Sequence, residues 1–140
     1  KFCHSIVRGE KIQIYNNGNH KRDFTYIDDI VDGVARVIKV PAKINLNWSG
    51  NNPDPSSSLA PWKIYNLGNN RSVKLVDFIN ILENELEKKA IKEFLPLQPG
   101  DVVETFADIT QINKEFNFQP TTNIDEGIKK FIKWFKNYYK

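Results

Sequence analysis

The 140-residue chain has one cysteine and two histidines. Cys3 alone cannot close an internal disulfide, and with His4 and His20 it makes no Cys/His set at zinc spacing, so a reducing, cytoplasmic setting is expected. No apolar run reaches the roughly 20 residues that a membrane helix needs, and no signal pattern opens the chain. A membrane partner is therefore not expected. Charge of one sign is also scarce. Twenty basic residues against seventeen acidic ones leave a scattered net charge of +3, too little to announce a nucleic-acid binder. The seven glycines are dispersed, which excludes a GxGxxG-type dinucleotide turn within these residues.

What is present suffices for one ordinary domain over residues 1–140, with 40% hydrophobic residues, 12% of the chain being aromatic. Lys1 to Arg8 reads as the last turns of a helix stopped by Gly9, without the cap that should begin it. The domain is therefore expected to belong to a longer polypeptide. Alternation over Lys11 to Tyr15 predicts a strand, and Asn16-Asn17-Gly18 a turn. Asp23 to Ile27 reads as extended, and Ile30, Val31, Val34, Val37 and Ile38 predict a helix over about 29–39, ended by Pro41. Residues 49–61, rich in Ser, Asn and Pro, read as a mobile surface loop. Lys63 to Leu67 predicts a short strand, and Leu75, Phe78, Ile79, Leu82 and Leu86 one face of a helix. Lys92 to Leu95 predicts a further strand. Asp108 with Gln111 resembles a capping box for a short helix that Phe116 closes onto the core. Ile128, Phe131, Ile132, Phe135 and Tyr139 then predict an amphipathic final helix capped by Thr122 or Asn123. Short strands among longer helices, without a repeating βα unit, indicate an α+β fold.

Several residues bear on chemistry. Arg22, just past a flexible turn, suits bidentate recognition of phosphate; the alternative is a structural pair with Asp23 or Asp28. Asp28 and Asp29 read as residues that satisfy free N–H groups at the start of their helix rather than as an acid–base pair. Alternation turns Tyr15 away from Ile12 and Ile14, toward a ligand or a half-buried surface. Gln98-Pro99-Gly100-Asp101 is either a plain turn or a site where a carboxylate meets the paired hydroxyls of a sugar. His20 is expected on a solvent-facing turn with no catalytic role. Trp134, Phe135, Tyr138 and Tyr139, at helical spacing, are expected in the core rather than as a stacking platform.

Three stretches carry a resemblance: IQIYNNGNHKRDFTYIDDIVDGVARVI, IYNLGNNRSVKLVDFINILE and LPLQPGDVVETFADITQINKEFNFQPTTNIDEGIKKFIKWFKNYY. In order and spacing they resemble the C-terminal portion of extended short-chain dehydrogenase/reductases, the NAD-dependent nucleotide-sugar epimerases, and are most similar to UDP-glucuronate 4-epimerases. The resemblance implies a small substrate-binding domain whose Rossmann-type dinucleotide-binding partner is missing. It implies contacts with a UDP-sugar: Arg22 with the diphosphate, Asp101 with the ribose, and backbone near Gln13 and Tyr15 with the uracil edge. Gln98 stands where some 4-epimerases have arginine, and His20 where UDP-glucuronate epimerases often have methionine. The superfamily's catalytic Tyr-x-x-x-Lys is absent. The resemblance therefore implies no catalytic residue in this chain, NAD held by the missing portion, and a full-length homodimer that interconverts UDP-glucuronate and UDP-galacturonate. The alternatives are a UDP-sugar decarboxylase, a nucleotide-sugar 4,6-dehydratase, or a stand-alone carbohydrate- or nucleotide-binding module.

Overall fold

The computed structural model describes residues 1–139. The α+β chain runs α1 (Phe2–Arg8), β1 (Lys11–Ile14), a 3-10 turn (Tyr15–Gly18), β2 (Lys21–Asp23) and α2 (Ile27–Val37), then β3 (Ser72–Lys74), α3 (Leu75–Leu86), β4 (Ile91–Phe94), α4 (Thr110–Phe116) and α5 (Ile124–Tyr138). β1 pairs in parallel with β4, Gln13 opposite Glu93, and β2 pairs antiparallel with β3, Arg22 opposite Val73.

Periodicity builds the main core. α3 buries Ile79, Leu82 and Leu86, and α5 buries Ile128, Ile132 and Phe135. These meet Cys3 and Ile6 of α1 and Ile12 and Ile14 of β1. Gly9, at φ 69°, ends α1 with its N–H on the Ile6 carbonyl, as the sequence predicts. Asn123 caps α5 by accepting the Glu126 N–H at 2.9 Å. A second cluster gathers Ile109, Ile112 and Phe118, with Tyr65, Leu67 and Phe116 packed around it.

Four expectations need correction. Lys63–Leu67 makes only an isolated bridge, Ser57 to Lys63, and among the described residues the rest of the segment has no ladder partner. Alternating side chains alone do not make a strand without a neighbour. Asp29 does not serve its own helix. Its carboxylate accepts the N–H groups of Thr121 and Thr122, both at 3.1 Å, tying α2 to the approach of α5. Burial raises its pKa, but these bonds outweigh burial and hold it below the usual value. His20 is buried rather than solvent-facing, because left-handed Asn16 and Asn17 fold the turn back and lead the chain in beneath α3. The His20 carbonyl accepts the Leu75 N–H at 2.8 Å. Finally, only Phe135 of the α5 aromatics is buried. Trp134 and Tyr138 lie outside and stack on each other, 5.2 Å between ring centroids. They stand on the flank of the stripe formed by Ile128, Ile132 and Phe135, and Phe131 and Tyr139 are exposed as well.

The capping box is half formed. Asp108 accepts the Thr110 N–H at 2.9 Å, whereas Gln111 turns to Glu115. Within residues 49–61, Asp54 accepts the Ser56 N–H at 2.8 Å and the hydroxyls of Ser56 and Ser57, which lowers its pKa to about 2. No helix among the described residues is long and apolar enough to cross a membrane.

Candidate functional site

The parallel pair β1·β4 sets one wall of the site. Beyond its last rung the Leu95 N–H donates to the Ile14 carbonyl and the Asn17 N–H to the Leu95 carbonyl, both at 2.9 Å. The segment leading to Gln98 is thereby fastened to the turn that follows β1. That turn needs asparagine and glycine: Asn16 and Asn17 sit near φ 50°, Gly18 at 82°. A Cβ on Gly18 would also come within 2.9 Å of the Val76 side chain. Tyr15 leaves the strand register, and its hydroxyl donates to Gln13 Oε1 at 3.0 Å. The two form one polar unit on the face opposite Ile12 and Ile14.

The same segment then runs to β2. A turn closes with the Asp101 N–H on the Gln98 carbonyl at 3.1 Å, and Gly100 takes φ 87° within it. Lys21 donates its N–H to the Val103 carbonyl at 2.9 Å and accepts the Thr105 N–H at 3.2 Å. Arg22 Nη1 donates to the Lys21 carbonyl at 2.8 Å and the Val103 carbonyl at 3.1 Å. The guanidinium is therefore fixed two residues from Asp101.

Arg22 forms no ion pair with any carboxylate among the described residues, and neither Asp23 nor Asp28 engages it. Asp23 is committed elsewhere. Its carboxylate accepts the N–H groups of Asn69 (2.9 Å), Asn70 (3.1 Å) and Ala107 (2.9 Å), and its own N–H donates to Thr105 Oγ1 at 3.1 Å. A guanidinium held by backbone carbonyls keeps its charge uncompensated and most of its donors free, the condition for binding an anion.

Of the five expected residues, the structure joins Tyr15 to Gln13 by a hydrogen bond, and it ties the segment carrying Gln98 and Asp101 to the turn after β1 through Leu95 and to Lys21 and Arg22 through Val103; no side-chain contact joins the two groups among the described residues. Gln13, Gln98 and Asp101 are exposed, so the rim that this segment forms is open. Sequence reasoning missed the Val103 carbonyl, which holds the arginine, and the Asp23 carboxylate, which gathers the backbone of residues 69, 70 and 107. An acidic residue directly after Arg22 was the one available signal, and it reads equally as a surface pair.

A cavity of about 620 Å³ lies elsewhere, between the end of α2 and residues 40–63. Glu115, which lines it, takes both Lys63 and the Tyr65 hydroxyl. Burial, followed by Glu115, pushes the Tyr65 pKa well up. No group of three metal-binding side chains occurs among the described residues.

Residues 1–131 match the family described as GDP-mannose 4,6 dehydratase. The chain is 49% identical over its full length to Protein CapI of Staphylococcus aureus, covering 42% of that relative, and 35% identical to a probable UDP-glucuronate 4-epimerase of Rhizobium meliloti, covering 41%. Among solved structures it is similar to UDP-glucuronic acid 4-epimerase from Bacillus cereus, in complex with UDP-glucuronic acid and NAD. There the TM-score is 0.76 and the identity 25%, over 99% of this chain and 39% of that one. The chain spans about two fifths of the length of these relatives. Matched over nearly all of its length, the chain belongs to the GDP-mannose 4,6 dehydratase family.

Proposed function

We propose that this chain is the C-terminal, nucleotide-holding portion of an NAD-dependent UDP-sugar 4-epimerase that interconverts UDP-glucuronate and UDP-galacturonate. The uncompensated Arg22 guanidinium beside the Gly100–Asp101 turn carries the reading. Its free donors face a diphosphate, Asp101 accepts from the ribose hydroxyls, and backbone at Gln13 and Tyr15 meets the uracil edge. Gln98 closes the rim beside the turn. The likeness to relatives that act on UDP-glucuronate supports the choice of sugar. A cytoplasmic homodimer is part of this reading: the homodimer rests on the resemblance, the reducing setting on the single cysteine.

NAD does not fit these residues. The one parallel strand pair among the described residues leads into a 3-10 turn after β1 and to Pro96 after β4, not into the N-terminus of a helix. The work of this portion is binding: energy from the nucleotide positions the hexose for chemistry carried out elsewhere in the polypeptide.

In the complete gene product, Arg22→Ala is expected to weaken UDP binding by about 1.5–3 kcal/mol, roughly 10- to 150-fold, the scale of hydrogen bonds to a charged group. Calorimetric titration with UDP measures it, and an unchanged affinity sinks the assignment. The family description favours a second reading, a 4,6-dehydratase, and two substrates separate them: the epimerase converts UDP-glucuronate, whereas a 4,6-dehydratase needs a nucleotide hexose whose C6 hydroxyl can leave as water.

A further inference from the structure

Between α2 and β3 the chain runs through residues 38–71 with no helix or strand among the described residues. A connection of that length is uncommon in a compact domain and is ordinarily functional. Hydrogen bonds stitch it together. Asn45 donates its N–H to the Ser58 carbonyl at 2.8 Å and its side-chain amide to Ser57 Oγ at 2.9 Å, and the Ile64 N–H meets the Ser56 carbonyl at 2.9 Å. Ser57 is 4% exposed, and its hydroxyl donates to Asp54. The connection is thereby folded around the cavity of about 620 Å³ at the end of α2, a volume within the range of small-molecule sites.

The lining of this cavity has two parts. Val37, Val40 and Ile44 supply an aliphatic part. The polar part is built around Tyr65, whose ring meets the Phe116 ring edge-on, 5.3 Å between centroids. Lys63 Nζ lies over the Tyr65 ring, 5.3 Å from its centroid, and is held by Glu115. Donors and acceptors are both available there. Lys63 keeps two N–H donors beyond the one given to Glu115, and a carboxylate has lone pairs for about four partners, of which Glu115 uses those for Lys63, Tyr65 and Gln111.

Lys43 and Lys63 balance Asp54 and Glu115 in the lining, so an anion finds no excess of positive charge. A ligand with hydroxyls along its edge and C–H groups on its face meets both parts. That is the chemistry of a sugar ring. We infer that the cavity is a saccharide site, sharing no lining residue with the Arg22 rim, that takes the ring of a neutral hexose against Val40 and Ile44 and meets its hydroxyls with Lys63 and Glu115. The inference goes beyond the nucleotide reading and does not rest on it.

Saturation-transfer difference NMR on the complete gene product, with UDP-glucose present to fill the nucleotide rim, tests it. The probes are D-glucose, D-galactose and their methyl glycosides at millimolar concentration. Transfer to at least one hexose is expected. Transfer to its glycoside as well assigns the end of a glycan chain as the source, and transfer to the free hexose alone assigns a free sugar. Val40 and Ile44 are 52% and 49% exposed, so Val40→Asp with Ile44→Asp leaves the core intact. The signal of this variant is expected to fall about tenfold, with UDP affinity unchanged. No transfer to any probe would overturn the inference, as would the parent's signal in the double variant. Stronger transfer to methyl glucuronoside than to methyl glucoside would make the cavity an anion site instead, and loss of UDP affinity in the double variant would end its separation from the rim.

Discussion

Replacing Glu83 by glutamine probes how β4, and through it the site rim, is fixed to α3. The Glu83 side chain is 2% exposed and receives Lys92 Nζ at 2.8 Å, Lys89 Nζ at 3.0 Å and the Ala90 N–H at 3.0 Å. Glutamine can keep the Ala90 bond but not the charge. The Lys89 amine, 82% exposed, contributes little, whereas Lys92 is 25% exposed and makes a charge-assisted bond to a buried carboxylate. The expected cost is about 2–3 kcal/mol at neutral pH, the range for such bonds. Burial works to raise the Glu83 pKa, but the bonds from Lys92, Ala90 and Lys89 lower it from 4.5 to about 2. A depressed carboxylate contributes its stability above its unfolded pKa and loses it as pH falls through the folded one. The difference between Glu83→Gln and the parent is therefore full above about pH 5, shrinks between pH 4.5 and 2, and vanishes below that. Urea unfolding at pH 7, 4 and 3 measures it. Equal stability at pH 7, or a deficit that does not shrink toward pH 3, would refute the reasoning.

Other substitutions test other contacts. His20→Met removes a buried Nε2 that has no hydrogen-bond partner, and is expected to raise stability by about 1–2 kcal/mol in urea unfolding. Gly68→Ala places a methyl against Ala107 and within 3.0 Å of an Asp23 carboxylate oxygen, so it should lower stability by about 1–3 kcal/mol; an unchanged urea midpoint would mean that the Asp23 contacts yield freely. Asp101→Ala should weaken UDP binding by about 1 kcal/mol while leaving inorganic pyrophosphate affinity unchanged, and equal losses for both ligands would remove Asp101 from the ribose.

The legible parts of the fold were those whose cause is local. Ile79, Leu82 and Leu86 mark α3 by spacing alone, and Asn123 announces its helix because a cap acts within three residues. The turn at Gly100 was legible from its residue type, since glycine takes the positive φ there without strain. The rest depends on partners distant in sequence. Spacing marks Val31, Val34 and Ile38 as one face without saying which neighbour covers it, and Asp29 meets acceptor-seeking N–H groups more than ninety residues away. Lys63–Leu67 has the composition of a strand, but a ladder needs a second strand that no local pattern supplies. His20 is buried through the reversal made by Asn16 and Asn17, a backbone geometry that residue type permits without requiring.

The three N–H groups gathered by Asp23 come from residues 46, 47 and 84 positions further along. Closing loops of that length is slow relative to helix formation. On the ribosome, β2 can emerge and α2 can coil while the arginine beside Asp23 still lacks its setting, because Val103 and Ala107 have not been made. The setting of Arg22 is therefore completed only after α3 and β4 have been made, since the Val103 carbonyl that holds it lies 81 residues further along.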